Sequence, residues 1–347
     1  MKVTLRELAK AAGVSVTTAS RVLSDSDHAV SSAARERVLQ VAAELGYRPN
    51  VSARTLRMDR SFTVGIVADS ISPPFTTAIF EGIENILNDA GLFCVITTLH
   101  NDTSLQRNAI DALLSRDVDG LILVDSWEPA AIPYLQRLRK PYAFCQRLFG
   151  TPVLNSVIAD NAYGAEQAVI HLLNAGHKRI GFINGKENYY MARDRLQGYI
   201  NAHRRAGALL DPQLIMASTW ELDSGYELAK ELLALPDRPT ALFAANDQLA
   251  IGAIYAAVDM GLNVPDDLAI VGYDDQPLAH IIRPNLTTVT YPTYEMGVEA
   301  ARILLKQIDG EQEFTEEVAL KGTLIVRDSC GTRRADAATT RKPGSQP

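Results

Sequence analysis

The sequence predicts an N-terminal all-α helix-turn-helix head with a hinge helix behind it, followed by a two-lobed α/β body with parallel sheets. Three observations carry that expectation. Residues 1–48 hold three helical apolar stripes punctuated by Gly13, Ser15 and Gly46; residues 49–60 form a short polar connector; and from Phe62 onward β-branched runs alternate with amphipathic helical segments.

A chain of 347 residues with 47% hydrophobic content has material for two or three folded units. Cys94, Cys145 and Cys330 lie far apart and form no CxxC or Cys/His ligand spacing, so neither a disulfide framework nor a zinc site is expected. The start of the chain lacks the apolar run of a signal peptide, and no window approaches 18 uninterrupted apolar residues, so a soluble cytoplasmic protein with no membrane partner is expected. The net charge of −7 argues against a nucleic-acid partner until its distribution is read. Residues 1–60 hold 10 Lys/Arg against 6 Asp/Glu, and the rest of the chain holds 24 against 35. A basic head on an acidic body fits a protein of which only the head meets phosphate.

In the head, Thr4 and Glu7 have capping-box spacing and open a helix with Leu5, Leu8, Ala9 and Ala12 on one side. Gly13 closes it in the left-handed conformation. Ser15 then starts a second helix that buries Ala19, Val22 and Leu23 and leaves Val16, Thr17, Ser20 and Arg21 to face outward. Two short helices joined this way form a helix-turn-helix, whose second helix enters a major groove N-terminus first. A third helix, about Ser32 to Leu45, is expected to bury Val38, Leu39, Ala42 and Leu45. In the connector, Asn50 is a good N-cap for a short helix ending near Arg57, which is too short to be stable without a partner surface.

The strings Val3-Thr4-Leu5-Arg6-Glu7-Leu8-Ala9, Ala12-Gly13-Val14-Ser15, Ala19-Ser20-Arg21-Val22-Leu23 and Leu45-Gly46-Tyr47-Arg48-Pro49-Asn50 resemble the lactose/galactose repressor family of bacterial transcription regulators. The resemblance extends to about residue 328. It implies that Val16 and Thr17 read base edges with Arg21 one turn on, and that Ser15, Thr18 and Ser20 bond phosphates. Tyr47 and Asn50 would anchor the entry to the hinge, and Leu56 would be the apolar wedge that kinks a central CG step from the minor groove. Thr4, Leu5, Ser31, Ala53 and Arg54 complete the implied DNA-contacting set. Ser24 and Ala34 depart from the family pattern, standing where Asn and Thr are common.

In the body, strands are expected at Phe62–Ala68, Phe93–Thr98, Gly120–Val124 and Tyr142–Cys145, with helices at Phe75–Ala90 and Leu105–Ser115 between them. A second unit is expected to begin with a strand at Ser156–Ala159, with helices at Tyr163–Ala175, Ala192–Ala206, Ser224–Leu235 and Gln248–Met260. Its strands are expected at Arg179–Ile183, Leu214–Ala217, Thr240–Ala244 and Leu268–Gly272. Leu286–Thr290, a helix at Tyr294–Gln307 and Leu324–Arg327 would cross back between the halves. The expected boundaries are 1–48 for the DNA-binding head, 49–60 for the hinge and 61–330 for the body. Lobe 1 would take about 61–158 plus 292–322, lobe 2 about 159–291 plus 323–330, and residues 331–347 would be a disordered tail.

Two wound lobes around a cleft form the periplasmic-binding-protein-like architecture, and ligands of open parallel sheets sit at the carboxyl ends of strands. The loops there carry Phe75, Gln146, Asp160, Asn161, Arg195, Trp220, Asn246, Asp247, Asp274 and Asp275. The resemblance makes Arg195 and Asp274 hydroxyl-binding groups, Asn246 a further polar contact, and Trp220 and Phe75 apolar walls. Gln146 and Asp160 complete the expected effector set, Gln146 replacing an Asp common in sugar-binding members. Asp247 could equally cap the helix after it.

Enzyme motifs are absent: there is no GxGxxG after the first strand, no GxxxxGK[ST], no HExxH and no GxSxG, and the six histidines do not pair at metal spacing. The expectation is a homodimeric repressor that binds a double-stranded DNA operator and no cofactor, controlled by a small-molecule effector, a sugar or sugar derivative. Control by a nucleobase or nucleoside, or by a partner protein on the body, remains the alternative; a solute-binding protein or an enzyme on the same body fold ranks last.

Overall fold

The computed structural model describes residues 3–23, 30–47, 60–72, 74–100, 102–125, 131–146, 154–187, 189–311 and 317–331. The chain divides into two compact units, Met1–Ser61 and Phe62–Pro347. The expected hinge helix with Asn50, Ala53, Arg54 and Leu56, and the expected tail beyond Gly331, lie outside the described residues.

The head contains α1 (Leu5–Ala11), α2 (Val16–Leu23) and α3 (Ser32–Glu44). Each start is fixed by a side chain that meets amides the helix leaves unpaired. The Thr4 hydroxyl accepts from the Glu7 amide at 3.3 Å while the Glu7 carboxylate accepts from the Thr4 amide at 2.7 Å, and the Ser31 hydroxyl caps α3. The turn into α2 uses Gly13 at φ 66°. At the end of α3, Gly46 lies at φ 59°, and the Tyr47 and Gly46 amides donate back to the Ala42 and Ala43 carbonyls, the doubled bond pattern that closes a helix on a left-handed residue. Leu8, Ala9, Ala12, Ala19, Val22, Val38 and Ala42 form the core, with Leu5 and Tyr47 packed at its edge. Two expected core residues of α3 lie outside it: Leu39 is 49% exposed and Leu45 40%. Leu39 stands about 100° around the helix from Val38, and Leu45 is the C-cap, past the last turn that faces the core.

In the body, lobe 1 is built from β1 (Thr63–Ala68), α4 (Pro74–Asp89), β2 (Phe93–Thr98), α5 (Gln106–Leu114), β3 (Gly120–Val124), α6 (Ala131–Leu138), β4 (Tyr142–Cys145) and β5 (Ser156–Ala159). Lobe 2 follows with α7 (Asn161–Asn174), β6 (Ile180–Asn184), α8 (Tyr190–Ala206), β7 (Ile215–Ala217), α9 (Leu222–Leu233), β8 (Ala241–Ala244), α10 (Asp247–Asp259), β9 (Ala269–Asp274), α11 (Pro277–Ile281) and β10 (Thr287–Thr290). The chain then returns through α12 (Thr293–Ile308) and β11 (Val318–Leu320) to lobe 1, and ends in β12 (Leu324–Ile325) of lobe 2. The lobe 1 sheet runs β11-β5-β4-β3-β1-β2 with every pairing parallel, and the lobe 2 sheet runs β12-β10-β9-β8-β6-β7 with β12 alone antiparallel. Sequence patterning gave no element at α6, α11 or β11. The last two are too short to show a period, and α6 carries Pro133, which is tolerated because it sits in the first turn.

Strand alternation divides the lobe 1 core between two faces. Ile122, Val124, Ala143 and Cys145 pack with α4 and α12, while Leu121, Leu123, Tyr142 and Phe144 pack with α5 and α6. Parallel pairing puts the strand carboxyl ends of a lobe on the same side, β12 excepted, and the loops beyond them carry the candidate site.

Candidate nucleic-acid interface and ligand cleft

In the head, the Ser15 hydroxyl accepts from the Thr18 amide at 3.0 Å and lies 2.8 Å from the Thr18 hydroxyl, which fixes the first turn of α2. That turn presents Val16, 42% exposed, beside an exposed Thr17, with Arg21 exposed one turn further and Ser20 half-buried. Ala19 and Val22 hold the other side of the helix in the core. A short helix whose N-terminal turn is bare and mildly apolar can contact thymine methyl groups and one base-edge acceptor, and its single guanidinium can take a guanine. Thr4 and Ser31 serve as caps of α1 and α3, so their hydroxyls are positioned by the same bonds that start those helices.

In the body, residues from both lobes line a cavity of about 610 Å³: Ser72, Phe75, Asp125 and Gln146 from lobe 1, and Tyr189, Met191, Arg195, Trp220, Glu221, Asn246, Gln248, Asp274, Gln276 and Tyr291 from lobe 2 and the crossing after it. Arg195 is the centre of the lobe 2 wall. It is 2% exposed, although it projects from α8 into a cleft, because its fork is fully engaged. Nε donates to Asn161 at 2.9 Å, Nη1 donates to the Ala245 carbonyl, and Nη2 donates to Asp274 at 3.2 Å. The guanidinium lies 3.7 Å from the centroid of the Tyr273 ring, with Tyr291 at 5.6 Å and Trp220 at 5.8 Å. Trp220 is seated against Gly185, where a Cβ atom would come within 1.9 Å of the indole, and its carbonyl accepts from Asn246 at 3.0 Å.

Six of the seven residues expected in the effector site meet in this cavity: Phe75, Gln146, Arg195, Trp220, Asn246 and Asp274. Asp160 does not. Its carboxylate accepts from the Tyr163 amide at 3.0 Å and caps α7, so its position at a strand end serves the helix instead. Asn246, and not Asp247, caps α10; Asp247 is fully buried, with its carboxylate held by the Thr288 hydroxyl at 2.6 Å and the Gln276 amide at 2.7 Å. Asp275 turns away to Arg327 at 2.7 Å. Sequence reasoning missed Ser72, Asp125, Tyr189, Met191, Glu221, Gln248, Gln276 and Tyr291. The signal available for Asp125 was its place directly after the Gly120–Val124 run; Tyr291 follows β10 at a crossing between lobes, a place no local pattern marks. The Tyr291 hydroxyl is itself buried, without a hydrogen-bond partner in the structure.

Burial shifts the acids of the site. It pushes the Asp125 carboxyl up to about 7, with repulsion from Asp69 adding to it and the 3.2 Å bond from Gln146 opposing. Asp247 is raised to about 8 by burial and by the charge of Asp274. Asp274 is raised to about 6 by burial, against the pull of Arg195. Asp and Glu in such places bind hydroxyl groups as acceptors when ionised and as donors when protonated. Among the described residues there is no cluster of three or more His, Cys, Asp or Glu fit to hold a metal ion. Among them also, no helix is long and apolar enough to cross a membrane.

Comparison with known proteins gives the same division. Residues 4–50 match the family model "Bacterial regulatory proteins, lacI family", and residues 169–330 match a periplasmic binding protein-like domain. The HTH-type transcriptional repressor CytR of Escherichia coli (strain K12) is 36% identical over 328 residues, covering 94% of this chain and 96% of its own. The crystal structure of the Lac repressor dimer bound to operator and the anti-inducer ONPF is similar with a TM-score of 0.82 at 29% identity, covering 95% of this chain and 99% of that one. A complex of the transcriptional regulator CelR with cellobiose is similar with a TM-score of 0.70 at 34% identity, covering 94% of this chain and 100% of that one.

Two outcomes follow from the cleft geometry. Asp125 and Asp247 hold their protons to about 7 and 8 when folded, whereas an unfolded aspartate releases its proton near 3.9, so between these values the folded state binds more protons and stability rises as pH falls. His177, lowered by burial, opposes this only below its ordinary value near 6.5. The melting temperature should therefore climb by at least about 2 °C from pH 8 to pH 6.5 in scanning calorimetry, and a fall over that interval would show that these carboxyls are solvated. Gly185→Ala should push the Trp220 indole off its seat and move tryptophan emission to longer wavelength; an emission spectrum identical to the parent's would mean that the ring packs elsewhere.

Proposed function

Since the chain belongs to the lacI family of bacterial regulatory proteins and is a DNA-binding transcriptional repressor of that family, we propose that it binds a near-palindromic operator as a homodimer, under the control of a small hydroxylated molecule in the cleft. The favoured effector is a sugar or sugar derivative. The observation that carries this reading is the Arg195–Asp274 pair on the cleft wall, a locked guanidinium beside a carboxyl, with Trp220 and Phe75 as ring surfaces around it. Each sugar hydroxyl both donates and accepts, which a carboxylate flanked by amide and hydroxyl groups can satisfy, while an aromatic face covers the C–H side of the ring. The Gln146 amide beside the Asp125 carboxyl supports a second reading, a nucleoside, because that pair offers a donor and an acceptor to a base edge.

Dimer formation is supported by apolar surface at an unpaired sheet edge. β2 is the terminal strand of the lobe 1 sheet, and it leaves Phe93 73%, Val95 43% and Ile96 40% exposed. Lobe 2 leaves Tyr255, Val258, Leu278 and Ile281 exposed as well. The proposed cycle has α2 of each protomer in one half-site and the hinge segments, Leu56 among them, meeting at the centre. Effector in the cleft shifts the balance between lobe arrangements and with it the affinity for DNA. Such a regulator works in the cytoplasm, where its operator is, and performs no catalysis.

Selection of operator from random duplexes should enrich a near-palindrome, and a sugar that binds the body should change the affinity for that duplex in fluorescence anisotropy. Arg195→Ala should lose the response to sugar by at least about tenfold while operator affinity without sugar stays within about twofold, a difference of roughly 1.4 kcal/mol or more in the coupling alone. A full response in that variant would remove Arg195 from the effector site. Phe93→Glu should yield monomers in sedimentation velocity at micromolar concentration, and an unaltered sedimentation coefficient would place the interface on another face.

A further inference from the structure

The cleft lining holds more acid than base. Among the described lining residues the carboxyl groups are those of Asp125, Glu221 and Asp274, and the cation is Arg195. That cation is already committed. Its three nitrogens donate to Asn161, the Ala245 carbonyl and Asp274, and 2% exposure leaves no face of it for a second anion. Further carboxyls stand behind both walls: Asp69 repels Asp125, and the buried Asp247 is raised by the charge of Asp274.

One feature pulls the other way. The lining residues Phe75, Met191, Glu221 and Asn246 mark the starts of α4, α8, α9 and α10, and a helix start carries about half a positive charge. Two of those four starts bring their own carboxylate, Glu221 at the N-cap of α9 and Asp247 as the first residue of α10. The field of a helix start fades within its first turn, whereas an ionised carboxylate at the wall is a full charge beside the ligand. For a phosphate the acids win; for a neutral hydroxyl they are acceptors. On the reading of this cleft as the effector site, we infer that it accepts an uncharged ligand with clustered hydroxyl groups and rejects the phosphorylated or carboxylated form of the same molecule. Asp125 and Glu221 impose that rejection from opposite lobes.

The test is a set of matched pairs titrated into the full-length protein at pH 8: ribose and ribose 5-phosphate, glucose and glucose 6-phosphate, cellobiose and cellobionate, uridine and uridine 5′-monophosphate. Binding is read by calorimetry and operator affinity by anisotropy on the same samples. At least one neutral member should bind, and its charged counterpart should bind at least about tenfold more weakly. In the Asp125→Asn, Glu221→Gln variant that ratio should shrink at least about threefold, and Glu221→Gln alone, an exposed change that does not threaten folding, should move it in the same direction. A charged member binding as tightly as its neutral counterpart, a ratio that neither variant changes, or a panel without a single neutral binder would overturn the inference. The two readings separate cleanly: a phosphate that binds and alters operator affinity sinks the charge rule and leaves effector control standing. A neutral member that binds without altering operator affinity upholds the charge rule and sinks effector control.

Discussion

A guanidinium buried at the junction of three chain segments is the constraint from which the cleft follows. Arg195 reaches from α8 to Asn161 at the start of α7, to the Ala245 carbonyl at the end of β8, and to Asp274 at the end of β9. The arrangement is costly to break, because removing one partner leaves a buried charge uncompensated, a loss of roughly 3–5 kcal/mol in comparable pairs. It is also rigid, since a planar fork with each of its three nitrogens bonded to a different segment has no second orientation of similar energy. Lobe 2 therefore presents its half of the cleft as a fixed wall, in which the Asp274 carboxyl is held by Arg195.

Backbone conformation does part of the same work. Asp125, Gln146, Trp220 and Asp274 all have left-handed φ, at 50°, 61°, 77° and 106°. None is glycine, and such conformations carry a cost of order 1–3 kcal/mol for a residue with a side chain. All four line the cavity, three of them at or directly after the end of a strand. A strand that continued straight would alternate its side chains between the two helical layers; the left-handed residue ends that alternation and turns a polar group outward past the sheet edge. Phe62, His100, Asp117, Arg139, Asn155 and Asp275 share the conformation without lining the cavity, so it is used at chain turns generally and at the cleft among them.

Much of this was legible in the sequence, because local chemistry and global fold agree over most of the chain. The head's helix starts at Thr4 and Ser15 and its turn at Gly13 are short-range signals, and the body's strands are apolar runs bounded by polar ends. The expectation failed where a residue's role depends on something distant. Leu39 fits an apolar helical stripe as well as Val38 does, and only the third dimension separates them. Asp160 and Asp125 are both acids just past a strand; the chain after Asp160 turns directly into α7 and claims its carboxylate as a cap, whereas the Asp125 carboxylate accepts from Gln146 past the neighbouring strand. Tyr291 is set in the cavity by packing against both lobes, a relation that no window of sequence contains.

The same packing limits how ligand energy could travel on the proposed reading. Within each lobe the paired helices meet at glycines with almost no clearance: a Cβ on Gly297 of α12 would come within 2.1 Å of the Ile79 carbonyl of α4, and one on Gly198 of α8 within 2.3 Å of the Ala162 carbonyl of α7. Interfaces that close cannot slide by fractions of an ångström without collision, so each lobe responds to force as a body. The chain passes between lobes at three places, after β5, after β10 and between β11 and β12, and those crossings are where a rotation of one lobe against the other can be absorbed. Tyr291 stands at the second of them, lining the cavity and packed against the cores of both lobes, so a change in lobe position acts on the crossing and on the cleft together. Occupancy is then converted into relative lobe position because the lobes themselves have no softer way to accommodate it.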